Sequence, residues 1–198
     1  MASNRSSTPR PSTGPRLGLL VSLLAAPILC VAQTAPASVA ADASGYATGD
    51  AWIDRQLADI DAYAQRYPDS FLDELARYLG VRRGYAEGVL KANGWRAGDL
   101  YLACAWAQAH ARSCRELVRA YSTGHAQGWE TVLESQGGAD NASYRTVRHA
   151  IVASYDRWDR PIELDARLLQ QLGDHEARLA RAREALPAPA GQDPAPGR

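Results

Sequence analysis

The chain has 198 residues, and its 22 basic and 22 acidic side chains bring the formal net charge to zero. That length makes one ordinary domain with a buried core, and the balanced charge argues against a nucleic-acid surface as its main business. Lys91 is the single lysine, an arginine usage that points to a GC-rich bacterial genome.

Residues 1–16 carry Arg5, Arg10 and Arg16 and no acid, 17–32 are apolar apart from Ser22, and small residues dominate 35–41. A basic, then apolar, then small-residue order is the pattern of a secretory signal. The apolar run contains Pro27 and falls short of the roughly 20 residues that a membrane span needs. Cleavage near Ser38-Val39-Ala40 is therefore expected, and no permanent membrane anchor. Cys30 leaves with the leader, because Leu29 stands where a lipoprotein signal wants a small residue. Residues 1–41 are read as signal peptide and 42–49 as a linker. Without 1–41 the chain keeps 19 bases against 22 acids, and its expected compartment is the periplasm or the outside of the cell.

The next elements read as helices. Asp50 can cap a helix to about 67, in which Ile53, Leu57, Ile60, Ala64 and Tyr67 follow helical spacing. Pro68 ends it, and Asp69 or Ser70 can cap a second helix over 71–79 that turns Phe71, Leu72, Leu75 and Leu79 inward. Gly80 suits the position after that helix, and Gly94 the position after a third over 83–92 with Tyr85, Val89 and Leu90 inward. A fourth, alanine-rich helix begins near Asp99 and runs to about 112. A fifth covers 113–121 with Leu117 and Val118 inward, and Ser113 can cap it. A short sixth covers 129–134. A glycine-rich break at 137–141 precedes a seventh over 144–155 with Val147, Ile151 and Val152 inward.

A longer C-terminal helix is expected over 164–186, with Leu168, Leu172, His175, Leu179, Ala182 and Leu186 at the a/d spacing of a coiled coil. Gly173 weakens it, and the helix can equally pack on its own domain. Its seam allows weak self-association. Residues 187–198, rich in proline, alanine and glycine, read as a disordered tail. No stretch shows strand alternation. The fold class is all-α: a single orthogonal helical domain over 50–163 of about six to eight short helices, plus the longer C-terminal helix. Gly94-Trp95 and Gly128-Trp129 form a faint internal echo of a duplicated helical unit.

Cys104 and Cys114 are the cysteines left after cleavage, and an exported pair is usually bridged. On one unbroken helix, ten residues would hold them roughly 15 Å apart, beyond the reach of a disulfide, so a bridge requires a turn near Arg112-Ser113. No redox-active C-x-x-C is present, which gives the bridge a structural role.

Several features could carry function. The segment 72–95 looks like a helix-turn-helix, with Ala76, Gly80, Ala86 and Val89 at its packing positions and Arg82 and Arg83 opening the second helix. The export signal and the slight acidity argue against DNA, so no nucleic-acid partner is expected. His125, Gln127 and Trp129, flanked by Gly124 and Gly128, could line a small cleft, in which His125 could act as acid, base or ligand. They could equally be a helix connection anchored by Trp129. The segment 155–161, with Trp158 at its centre, could be a recognition loop or an ion-paired clamp. Asp69, Asp73, Glu74, Glu87 and Asp99 could pair for glycan chemistry, although nothing in their spacing singles out a pair. His110, His125, His149 and His175 lack zinc spacing, and no phosphate or dinucleotide loop is present, so no metal or cofactor is expected.

Ala103-Cys104-Ala105, Cys114, Gly128-Trp129 and the string Tyr155-Asp156-Arg157-Trp158-Asp159-Arg160-Pro161-Ile162 resemble motifs of a group of short exported proteobacterial proteins with no assigned activity. The likeness covers about 70–163. Ala126 and Glu130 depart from the glycines of that group's turn, and 134–143 diverges. The resemblance implies an all-α fold and export, and it carries no catalytic residues. The leading expectation is a non-enzymatic exported module that binds another envelope protein or a cell-wall component. The alternatives are a small hydrolase-type envelope enzyme using His125 or a carboxylate pair and, third, a DNA-binding protein.

Overall fold

A computed structural model describes residues 45–185, so the expected signal peptide and tail lie outside the described residues. The first helix, α1 (Ala51–Arg66), starts where its cap dictates. The Asp50 carboxylate accepts from the Trp52 and Ile53 amides at 3.0 and 3.1 Å, which satisfies two donors a bare helix start leaves open. Then come α2 (Pro68–Tyr78) and α3 (Arg83–Asn93). Pro68 opens α2 as well as closing α1, because a missing N–H costs nothing in the first turn. Neither Asp69 nor Ser70 is the cap; the Ser70 hydroxyl pairs with the Tyr63 hydroxyl at 2.7 Å. Gly80 and Gly94 sit at positive φ after α2 and α3, as expected.

The centre is α4 (Ala97–Ala109), every residue of which from Gly98 to Ala107 is buried. A helix apolar on all sides has no solvent face, and α4 packs against α1, α3, α5 and α7. The approach of α1 is close: a Cβ on Gly98 would lie 2.8 Å from the Leu57 carbonyl oxygen and 2.4 Å from the Tyr46 hydroxyl. After α4 the chain reverses through Ala111, at φ 51°, into α5 (Cys114–Gly124). That reversal is the turn the cysteine spacing required. Cys104 and Cys114 are disulfide-bonded with Cα atoms 4.3 Å apart. Ser113 occupies the cap position of α5, but its hydroxyl makes no cap bond.

A 3-10 turn (His125–Gln127) leads into α6 (Gly128–Ser135), followed by α7 (Asn141–Arg157). The longer C-terminal helix does not form. Gly173, at φ 74°, divides it into α8 (Ala166–Leu172) and α9 (His175–Glu184), each capped by its own aspartate, Asp165 and Asp174. The a/d seam is interrupted there. Leu168 and Arg178 turn instead onto the domain, where Arg178 donates to Asp156 of α7 at 2.7 and 2.8 Å. The described residues are all-α, with no strand among them.

The end of α7 and the turn after it form ion pairs as a clamp would, and Arg148, earlier on α7, adds to them. Arg148 donates to Asp50 and to Asp165 at 2.8 Å, joining the cap carboxylates of α1 and α8. Glu74 of α2, 3% exposed, accepts from Arg157 and from the Ser154 hydroxyl. Asp59 of α1 accepts from Arg160 at 2.7 Å and from the Tyr155 hydroxyl. Burial works against the Asp59 and Asp156 carboxylates. The hydrogen bonds from Arg160 and Tyr155 to Asp59, and from Arg178 and His175 to Asp156, outweigh it and hold both below their ordinary range.

Candidate functional site

The two glycine-tryptophan junctions meet in space. The Tyr121 ring, from α5, stacks face to face on Trp129 at 3.7 Å and meets Trp95 edge-on at 4.9 Å. The junction before α4 supplies Trp95 and the one opening α6 supplies Trp129, with α5 between them. Gly94 takes the left-handed conformation that lets Trp95 turn back from α3.

Asp99 is the floor. Its carboxylate reaches back to the Arg96 amide at 3.0 Å, as a third-position acid does at a helix start, and accepts from the Trp129 indole Nε1 at 2.9 Å. The Arg96 guanidinium and the Tyr121 hydroxyl lie at 3.4 Å. Four donors on one carboxylate that is 5% exposed leave it fully engaged. Burial and the Asp99 charge push the Tyr121 phenol up to about 12. Behind Arg96, its guanidinium lies 3.5 Å over the Tyr46 ring. Asp61 accepts there from the Tyr46 hydroxyl at 2.9 Å and from the Gly98 amide at 2.7 Å. Burial, added to by the nearby Asp99, raises the Asp61 carboxyl above its ordinary range, although the hydrogen bonds and Arg96 pull the other way.

Above this floor lies an open cleft of about 520 Å³ between Asn93 and Trp95 on one side and Tyr121, Ser122 and His125 on the other. Its rim is an amide, a hydroxyl, an imidazole and two half-buried aromatic rings.

The predicted residues separate. Trp129 is 3% exposed and forms the wall behind Tyr121. His125 is exposed on the rim, edge-on to Tyr121 with ring centroids 6.3 Å apart, and its ring has no hydrogen-bond partner among the described residues. Gln127 is exposed on the 3-10 turn and is not among the residues lining the cleft. Trp158 lines a different depression, stacked on Tyr63 at 4.3 Å beside Tyr67 and Arg160. Tyr67, expected inward, is 51% exposed there.

The five acids weighed for glycan chemistry go to cations. Arg83 binds Asp69, Asp73 and Glu87, Arg157 takes Glu74, and Arg96 takes Asp99. The same pairs remove Arg83 from the free charge of the helix-turn-helix segment. Trp95, Tyr121 and Asn93 escaped sequence reasoning as site residues. The repeated glycine-tryptophan pair was the available signal for Trp95; Tyr121 had none, since stacking partners are set by tertiary packing.

Among the described residues no group of three or more His, Cys, Asp or Glu side chains could hold a metal ion. None of their helices is long and apolar enough to cross a membrane. No protein-family model matches the sequence, and neither a curated protein nor a solved structure matches it.

Proposed function

We propose that the chain is an exported helical module that binds a cell-envelope partner, a protein or a cell-wall component, through the cleft of Trp95, Tyr121 and His125. The observation that carries this reading is a half-buried aromatic rim set on a saturated floor. Half-buried Trp and Tyr offer large apolar faces with few rotatable bonds; here Tyr121 is held by its stack on Trp129 and its hydroxyl's bond to Asp99, and Trp95 rests against the Tyr121 ring edge-on. Little ordering entropy remains to be lost on binding. The leader-like N-terminus, the bridged cysteine pair and the resemblance to exported proteins support export.

The test uses the full chain expressed in a Gram-negative host. A photo-reactive phenylalanine replaces Ser122 on the rim or, as control, the exposed Ala76 on α2. The expected result is a processed N-terminus near position 41 and one discrete envelope adduct from the Ser122 site alone. An unprocessed chain in the cytoplasm, or equal labelling from both sites, would refute the reading.

A further inference from the structure

A second depression lies where the α2–α3 turn meets the α4–α5 turn, with a volume of about 370 Å³. Arg82 and Tyr85 line it from one turn, and Gln108, Arg112, Ser113 and Arg115 from the other. No carboxylate is among its lining residues.

The arginines here are held differently from those of the clamp. The Arg82 side chain has no hydrogen bond or ion pair among the described residues. Arg115 lies over the Tyr85 ring, 5.0 Å from its centroid, with no carboxylate partner. Arg112 gives its Nε to Glu116 at 3.2 Å and its Nη1 to Gln136, with Nη2 unspent. Three guanidiniums less one carboxylate leave a local charge of two, in a chain that is neutral overall.

The backbone adds to this. The depression sits at the starts of α3 and α5, eleven residues each, and neither cap residue, Arg82 or Ser113, makes a side-chain cap bond. Helix starts carry open N–H donors and partial positive charge. Cys114 also lines the depression, so the disulfide ties the turn bearing Arg112 and Arg115 to the buried helix α4.

We propose that this depression is a binding site for a phosphate group. Planar guanidinium forks bind oxyanions bidentately, and a phosphate monoester near its dianionic form matches the local excess charge. The site is separate from the aromatic cleft and stands whether or not that cleft binds a partner.

The group can arrive as free phosphate or on a lipid headgroup, and two arms of one experiment separate them. The processed, oxidised protein is titrated at constant ionic strength with inorganic phosphate, followed by amide NMR. It is also sedimented with phosphatidylcholine vesicles, plain or containing phosphatidic acid. The expected result is saturable shifts over 80–86 and 112–116. The Arg82→Ala/Arg115→Ala variant should weaken binding at least about tenfold, the loss expected from one charge-assisted contact. Arg145→Ala/Arg167→Ala makes the same change of net charge elsewhere and should leave affinity unchanged. Reducing the disulfide should weaken binding without abolishing the fold's helicity. Sedimentation only with phosphatidic acid, lost in the first variant, assigns the headgroup as the source; phosphate shifts without sedimentation assign the free ion. No saturable response in either arm, or equal losses in both double variants, would overturn the proposal.

Discussion

Two groups of arginines divide the molecule. Arg148, Arg157 and Arg160, on α7 and the turn after it, each meet a carboxylate on another helix or at its cap, with Asp50 and Arg148 98 residues apart in sequence. Arg82, Arg112 and Arg115 crowd the turns near the disulfide with Glu116 as their carboxylate. The residue type is the same and the neighbourhood decides its role. A paired, half-buried arginine holds two helices at one spacing, whereas three arginines sharing one carboxylate at a depression keep charge for something from outside. The aromatic residues divide likewise: Trp129 is a wall with its indole N–H spent on Asp99, and Trp95 remains on the rim.

The largest effect should come from breaking the clamp. Arg157→Met leaves Glu74 buried without its cation, and denaturant unfolding should show a loss of about 3–5 kcal/mol. Arg82→Ala, in the other group, should stay within about 0.5 kcal/mol of the parent. Equal losses would erase the distinction. Replacing both cysteines by serine should cost about 3 kcal/mol, on the loop-entropy model for a ten-residue separation. It should weaken phosphate binding while the Ser122 adduct persists. Trp129→Phe keeps the stacked ring but removes a donor from Asp99, so a loss of about 1–3 kcal/mol is expected in the same measurement.

The smallest effects are those of pH. Asp59 and Asp156 have folded pKa values below their unfolded ones, so their stabilisation is present above the unfolded carboxylate range and is lost as pH falls through the folded values. Unfolding midpoints should therefore drop on acidification below about pH 4. Asp61 is raised, and its ionisation works against the fold as pH rises. Asp61→Asn should be at least as stable as the parent at pH 7, and any advantage should vanish in acid. A midpoint for Asp61→Asn below the parent at neutral pH would reverse that sign.

Much of the fold was legible in the chain. Asp50 before an apolar spacing, Gly94 after one, and two cysteines that needed a turn between them each name a local structure, and each local structure is there. The helix starting at Pro68 and the break at Gly173 are not legible in the spacing. A proline is compatible with either end of a helix, and one glycine in a coiled-coil-like seam yields to a neighbour such as Asp156, which draws Arg178 onto the domain. The aromatic cleft was half legible. His125 and the repeated glycine-tryptophan pair flagged the region, but Tyr121 sits between the tryptophans only because α5 packs there. In the sequence Asp99 is one of five acids that nothing in the spacing singles out, because its four donors converge on it only in the fold.

Trp95→Ala in the photo-cross-linking assay tests the function most directly, because Trp95 lines the cleft without bonding to its floor. With the aromatic cleft as the binding surface, the variant should keep its helicity, lose no more than about 2 kcal/mol of stability, and fail to form the adduct from the Ser122 site. A folded Trp95→Ala protein that still gives the parental adduct at full yield would contradict it.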